Sequence, residues 1–197
     1  MEPYVFKKNL HCIVMAFYRP QFVLDFFLKD ISFCYSAVPL IVFTVYYEIL
    51  YVLDYLFKDA DFVHILADIM QIPDAQYNFY QIFLFPAVHI ADLFVFGGAI
   101  YVISKILHLH KIGTVKVFLF FVFIFNTIGL VSAVTDTLSF VWESEFFIYV
   151  HPVTGVVFLG YLTEFIRRQA ETSRQKSFIL SISSLVVKLV FRVVFLG

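Results

Sequence analysis

Residues 113–138 read GTVKVFLFFVFIFNTIGLVSAVTDTL, and no charge falls between Lys116 and Asp136. At about 1.5 Å of rise per residue, such a run covers the roughly 30 Å of hydrocarbon in a bilayer as one α-helix. The alternation of apolar and polar side chains that marks a barrel strand is missing. Helix is therefore the form that satisfies its backbone groups without water. Four more stretches of similar character flank it, at 31–57, 81–107, 146–166 and 178–197. The fold predicted is all-α: a polytopic membrane protein whose 31–197 region is a single bundle of five transmembrane helices.

Composition points the same way. Of 197 residues, 61% are hydrophobic, 20% aromatic and only 15% charged. A soluble domain keeps roughly 25% of its residues charged, so lipid is the solvent that this much Phe, Val, Ile and Leu requires. A net charge of −1 offers no basic field to nucleic acid. Lys7 and Lys8 before the apolar run 10–18 look like the start of a signal peptide. Arg19 and Pro20 follow directly, without a small-x-small cleavage site, so the segment is expected to be retained.

The basic residues sort to alternate connections. Lys7, Lys8, Arg19 and Lys29 precede the first span, Lys105, Lys111 and Lys116 follow the second, and Arg167, Arg168, Arg174 and Lys176 follow the fourth. The remaining connections hold only Lys58, against Asp59, Asp61, Asp68, Asp74, Glu143 and Glu145. The positive-inside rule then predicts a cytoplasmic N-terminus and an outside C-terminus, in the cell membrane for a prokaryotic chain. Cys12 and Cys34 fall on the inner side, where thiols stay reduced. Within the cytoplasmic segment 1–30, Pro20 to Lys29 places Phe22, Val23, Phe26 and Phe27 on one face, as an interfacial amphipathic helix does. On the outer side 61–70 spaces Phe62, Ile65, Leu66 and Ile69 as a helix would. Asp61, His64 and Asp68 then form its solvated face.

Ionisable groups within spans are costly and mark candidate sites. Asp92 lies near the midplane in the second span, and Lys188 reaches a similar depth from the opposite side in the fifth. His89 is one turn outward from Asp92 on the same face. Glu48 and Arg192 both lie toward the outer third. The simplest reading pairs Lys188 with Asp92 and Arg192 with Glu48, with His89 hydrogen-bonded between. Ser181, Ser184, Lys188 and Arg192 form a stripe predicted to face the interior, leaving Leu185, Val186, Val190 and Val193 for lipid or neighbours. These pairs suit a scaffold whose helices they hold in register. A small transporter, proton relay or ion-conducting subunit using Asp92 and Lys188 is the alternative. An intramembrane hydrolase is a third, with His89, Asp92, Asp136 and His151 as ligands of a divalent metal. It lacks a His-Glu-x-x-His motif, and no other cofactor is predicted. A fifth segment lying flat, its cations among headgroups, is a further possibility. Gly97-Gly98 and Gly129-x-x-x-Ala133 predict close helix approach. Pro39, Pro86 and Pro152 fall inside spans, where proline kinks a helix.

Three features together resemble the YIP family, the Ypt/Rab-interacting proteins and their prokaryotic relatives. They are Arg19-Pro20 before an amphipathic helix, the run from Gly97 through Leu107 with Lys111-Ile112-Gly113-Thr114 after it, and the basic tail from Glu164 through Ser177 before a last apolar helix. The family's usual Gly-Gly or Gly-x-Gly before the third span is reduced here to Gly113, and its proline within that span is absent. The resemblance implies a five-span, prokaryotic-type member with its N-terminus inside. For eukaryotic relatives it implies vesicle traffic and binding of a small GTPase. The partners expected are the lipid bilayer and other membrane proteins or a second copy.

Overall fold

The computed structural model describes residues 3–29, 33–57, 73–142 and 149–196, and every regular element among them is helical. In chain order these are α1 (Pro3–Tyr18), α2 (Pro20–Lys29), α3 (Phe33–Phe57), α4 (Asp74–Ile106), α5 (Thr114–Trp142), α6 (Val150–Gln169) and α7 (Arg174–Leu196). The amphipathic stretch expected over 61–70 lies outside the described residues.

Among the described residues four helices carry stretches long and apolar enough to cross a membrane: Phe33–Leu50 in α3, Pro86–Ile106 in α4, Thr114–Ser139 in α5 and Arg174–Val194 in α7. α6 occupies the place expected for the fourth span but is not among them. His151, Pro152, Glu164, Arg167 and Arg168 dilute its apolar run. Pro39 and Pro86 stand inside α3 and α4, whereas Pro152 falls in the first turn of α6, where a missing N–H costs nothing.

α5 is the hub. It packs against α3, α4 and α6 and touches α1 and α2. Of its apolar stretch 61% is buried, against 28%, 39% and 28% in α3, α4 and α7. Phe120 stacks on Phe165 of α6 with ring centres 4.0 Å apart, and Phe121 on Phe96 of α4 at 3.5 Å. α6 runs antiparallel to α5, from the Phe165–Phe120 stack to the His151–Asp136 contact. α3 starts at the same end as α5, since the Ser36 hydroxyl donates to the Leu119 carbonyl at 2.7 Å. The expected close approach is real at Gly129, where a Cβ would stand 2.7 Å from the Phe43 ring. Gly97 likewise meets the Phe118 ring, but Gly98 faces open space.

Burial runs opposite to that of a water-soluble helix. On α7, Ser177, Ser181, Ser184 and Lys188 are buried, while Ile179, Val186, Val190 and Val193 are exposed. Water would leave the serines and lysine outside and draw the valines in. Lipid reverses the preference.

α2 has the predicted bounds, but its buried residues are Val23, Leu24 and Phe27, while Phe22 is exposed. This face is covered by α1, α5 and α6, so the helix packs on protein as a lid on the end of the bundle. The apolar run 10–18 is part of α1, which buries Cys12 and Ala16. The Tyr161 hydroxyl of α6 donates to the Ala16 carbonyl.

At this same end α4 and α6 stop in matching ways. His108 (φ 55°) and Glu171 (φ 49°) turn left-handed. The Leu109 N–H then reaches the Ser104 carbonyl at 2.9 Å, and the Thr172 N–H reaches that of Arg167 at 3.1 Å. The two turns are joined by Lys111 and Glu171 at 2.5 Å and by the Gly113 N–H donating to Gln169 Oε1 at 2.9 Å.

Candidate functional site

Steps of four, three and four residues carry Ser177, Ser181, Ser184 and Lys188 along one face of α7. That face meets α4 and α6. Ser181 donates to the Ser177 carbonyl at 2.9 Å, so its hydroxyl is satisfied by its own helix. Lys188 reaches across to α4, its Nζ 2.5 Å from Asp92 Oδ2, and the two side chains are only 7% and 2% exposed. The same ammonium sits 4.4 Å from the centre of the Phe125 ring on α5. One cation is thus met by a carboxylate on one helix and by the negative face of an aromatic ring on another.

Among the described residues His89 meets an amide rather than two ion pairs. Its Nε2 is 3.2 Å from Asn126 Oδ1, and Asn126 Nδ2 donates to the Val122 carbonyl at 2.6 Å. The imidazole also packs near the Phe43 and Phe125 rings. Asn126 was not singled out in the sequence. Its only signal is being the one amide in the apolar run 117–134, where interhelical hydrogen bonding is its natural use.

The expected pairing of Arg192 with Glu48 is not found among the described residues. Glu48 is on α3, which packs on α5 and α4, whereas Arg192 is on α7, which packs on α4 and α6. Both helices pack on α4, yet no contact between these two side chains is found among the described residues. Glu48 Oε2 is buried without a hydrogen-bond partner, as are Asp92 Oδ1, Thr127 Oγ1 and Ser184 Oγ.

Nor do His89, Asp92, Asp136 and His151 form one metal site. His151 Nε2 is 2.8 Å from Asp136 Oδ1, and the Tyr47 hydroxyl donates to Asp136 Oδ2 at 3.5 Å. Along α5, Asp136 is about 15 Å beyond Asn126, the residue that holds His89. Among the described residues no three His, Cys, Asp or Glu side chains converge as a metal-binding set. The cluster around Asp136 instead ties α3, α5 and α6 together. Tyr46 and Thr137 contribute a hydroxyl contact at 2.5 Å, and Ser132 and Thr154 one at 3.1 Å.

Comparison with protein-family models, with curated proteins and with solved structures returns no match.

Proposed function

We propose that the chain is a non-enzymatic membrane scaffold or interaction protein of five crossings, in the manner that its resemblance to the YIP family implies. Its α1–α2 lid and basic turns would lie on the cytoplasmic side. α6 counts as the fifth crossing because it runs beside α5 from Phe165 to His151, about 21 Å of helix axis. The basic residues of the connections, Lys105, Lys111, Arg167, Arg168, Arg174 and Lys176 among them, fall where α4 and α6 end and α7 begins, which supports that end as the inner one. The observation that carries the scaffold reading is the Lys188–Asp92 pair. A matched, dry ion pair holds α4 and α7 in one register.

Impermeant maleimide applied to single-cysteine variants tests the orientation. Cysteines at positions 110 and 172 should label only from the cytoplasmic side and a C-terminal tag only from outside. Both ends in one compartment would refute five crossings.

The unpartnered oxygens Glu48 Oε2 and Asp92 Oδ1 favour a second reading, a small ion- or proton-carrying subunit. Liposomes with a pH-sensitive dye inside separate the two. The scaffold gives no flux above empty vesicles, and a flux abolished by Asp92→Asn would establish the second reading in its place.

A further inference from the structure

We propose that the groove between α6 and α7, at the end covered by α2, holds one anionic phospholipid, its phosphate at Arg174 and an acyl chain along Val156 and Phe178. The inference rests on the reading that this end of the bundle lies at the membrane surface. The groove has a volume of about 720 Å³, within the range of small-molecule sites.

Its lining changes character along its length. Gln21, Arg174 and Gln175 form the mouth, where α7 begins. Phe178 comes one turn further in, and Val156 lies about 12 Å beyond Glu164 along α6. A polar mouth leading into an apolar trough matches an amphiphile, whereas a free anion would have no use for the trough.

Charge selects the headgroup. Glu164 at the mouth is already held by Arg167 and Arg168, each at 2.7 Å. Arg174 is exposed and has no acidic partner among the described residues. One cation therefore remains at the mouth for a phosphate. Exposed Lys105, Lys116 and Lys176 at the same end of the bundle raise the local concentration of anionic lipid. Along the trough a Cβ at Gly160 would meet nothing within 4 Å, which leaves room for a chain to pass against the helix.

Native mass spectrometry of the full chain in mild detergent, with phosphatidylglycerol or with diacylglycerol of identical acyl chains and no phosphate, tests this. Wild type should retain phosphatidylglycerol about tenfold more tightly, the effect of one charge-assisted contact. Arg174→Gln should remove that preference and leave retention of diacylglycerol unchanged. Gly160→Phe, which fills open space, should lower retention of both lipids without changing the melting temperature in detergent. Equal retention of the two lipids by wild type, a preference that survives Arg174→Gln, or full retention by Gly160→Phe would each overturn the proposal. So would a lipid-free dimer that Gly160→Phe dissociates, which assigns the groove to a second copy. Release of the chain from membranes by alkaline carbonate would refute the membrane reading itself, whereas a carbonate-resistant chain without lipid preference refutes only the groove.

Discussion

Breaking the Lys188–Asp92 pair from either side should not cost the same. At 2.5 Å and an effective dielectric near 20 the gross attraction is about 7 kcal/mol, and most of it is offset by the desolvation of both groups. Removing one partner of a buried pair costs about 3–5 kcal/mol, because the other is left charged and dry. After Asp92→Ala, Lys188 still has the Phe125 ring at 4.4 Å, an attraction of about 2 kcal/mol when desolvated. The net cost is then about 1–3 kcal/mol. After Lys188→Met, Asp92 has no such substitute, and its Oδ1 already lacks a partner, so the full 3–5 kcal/mol applies, again about. Asp92→Ala combined with Lys188→Met leaves a neutral seam and should lie within about 1 kcal/mol of wild type. Thermal unfolding in detergent can be followed by a maleimide dye in a Cys34→Ser background. Cys12 is 1% exposed and burial pushes its thiol up, so it reacts only on unfolding. A double variant no more stable than Asp92→Ala, or an Asp92→Ala loss exceeding that of Lys188→Met, would refute the reasoning.

Three other perturbations follow from the packing and the turns. Gly129→Ala puts a methyl 2.7 Å from the Phe43 ring and should cost about 1–3 kcal/mol. Phe43→Leu in the same chain should recover part of it in the same melt, and a fully additive double variant would disprove the contact. His108→Gly removes a left-handed strain at φ 55° and should stabilise the fold by about 1 kcal/mol, so a lower melting temperature would contradict it. Lys111 beside Glu171 holds that carboxyl below its ordinary value. A depressed folded value means that the contribution is present above the ordinary carboxylate range and fades as pH falls through the lowered one. Lys111→Met should return Glu171 to the ordinary range in a carboxyl NMR titration; an unchanged midpoint would rule the contact out.

Much of the architecture was legible because lipid enforces a simple code. An uncharged run such as 117–135 has few alternatives to a helix, and α3, α4, α5 and α7 stand where such runs predict them. Of the stripe predicted on α7, Ser181, Ser184 and Lys188 are buried while Arg192 is only half-buried, and Lys188 meets Asp92 as helical spacing and depth suggest. Depth, however, says nothing of which helices adjoin. Arg192 and Glu48 lie on helices that both pack on α4, yet no ion pair joins them among the described residues, because a shared level does not say which faces of two helices meet. Asn126 escaped notice because an amide carries no charge, and α1 because an apolar run of nine residues is too short for a crossing and looked like a leader. The lid face of α2 was misplaced by one residue, since Leu24 rather than Phe22 is buried, a rotation that only the tertiary partners decide.

α7 follows α4 and α6 in the chain, so both of its docking partners are synthesised before its serines and lysine leave the ribosome. An undocked α7 would hold an ammonium against acyl chains, a state that retards its own release into the bilayer. A chain whose α7 fails to dock therefore leaves both Lys188 and Asp92 without the opposite charge that each meets in the closed bundle.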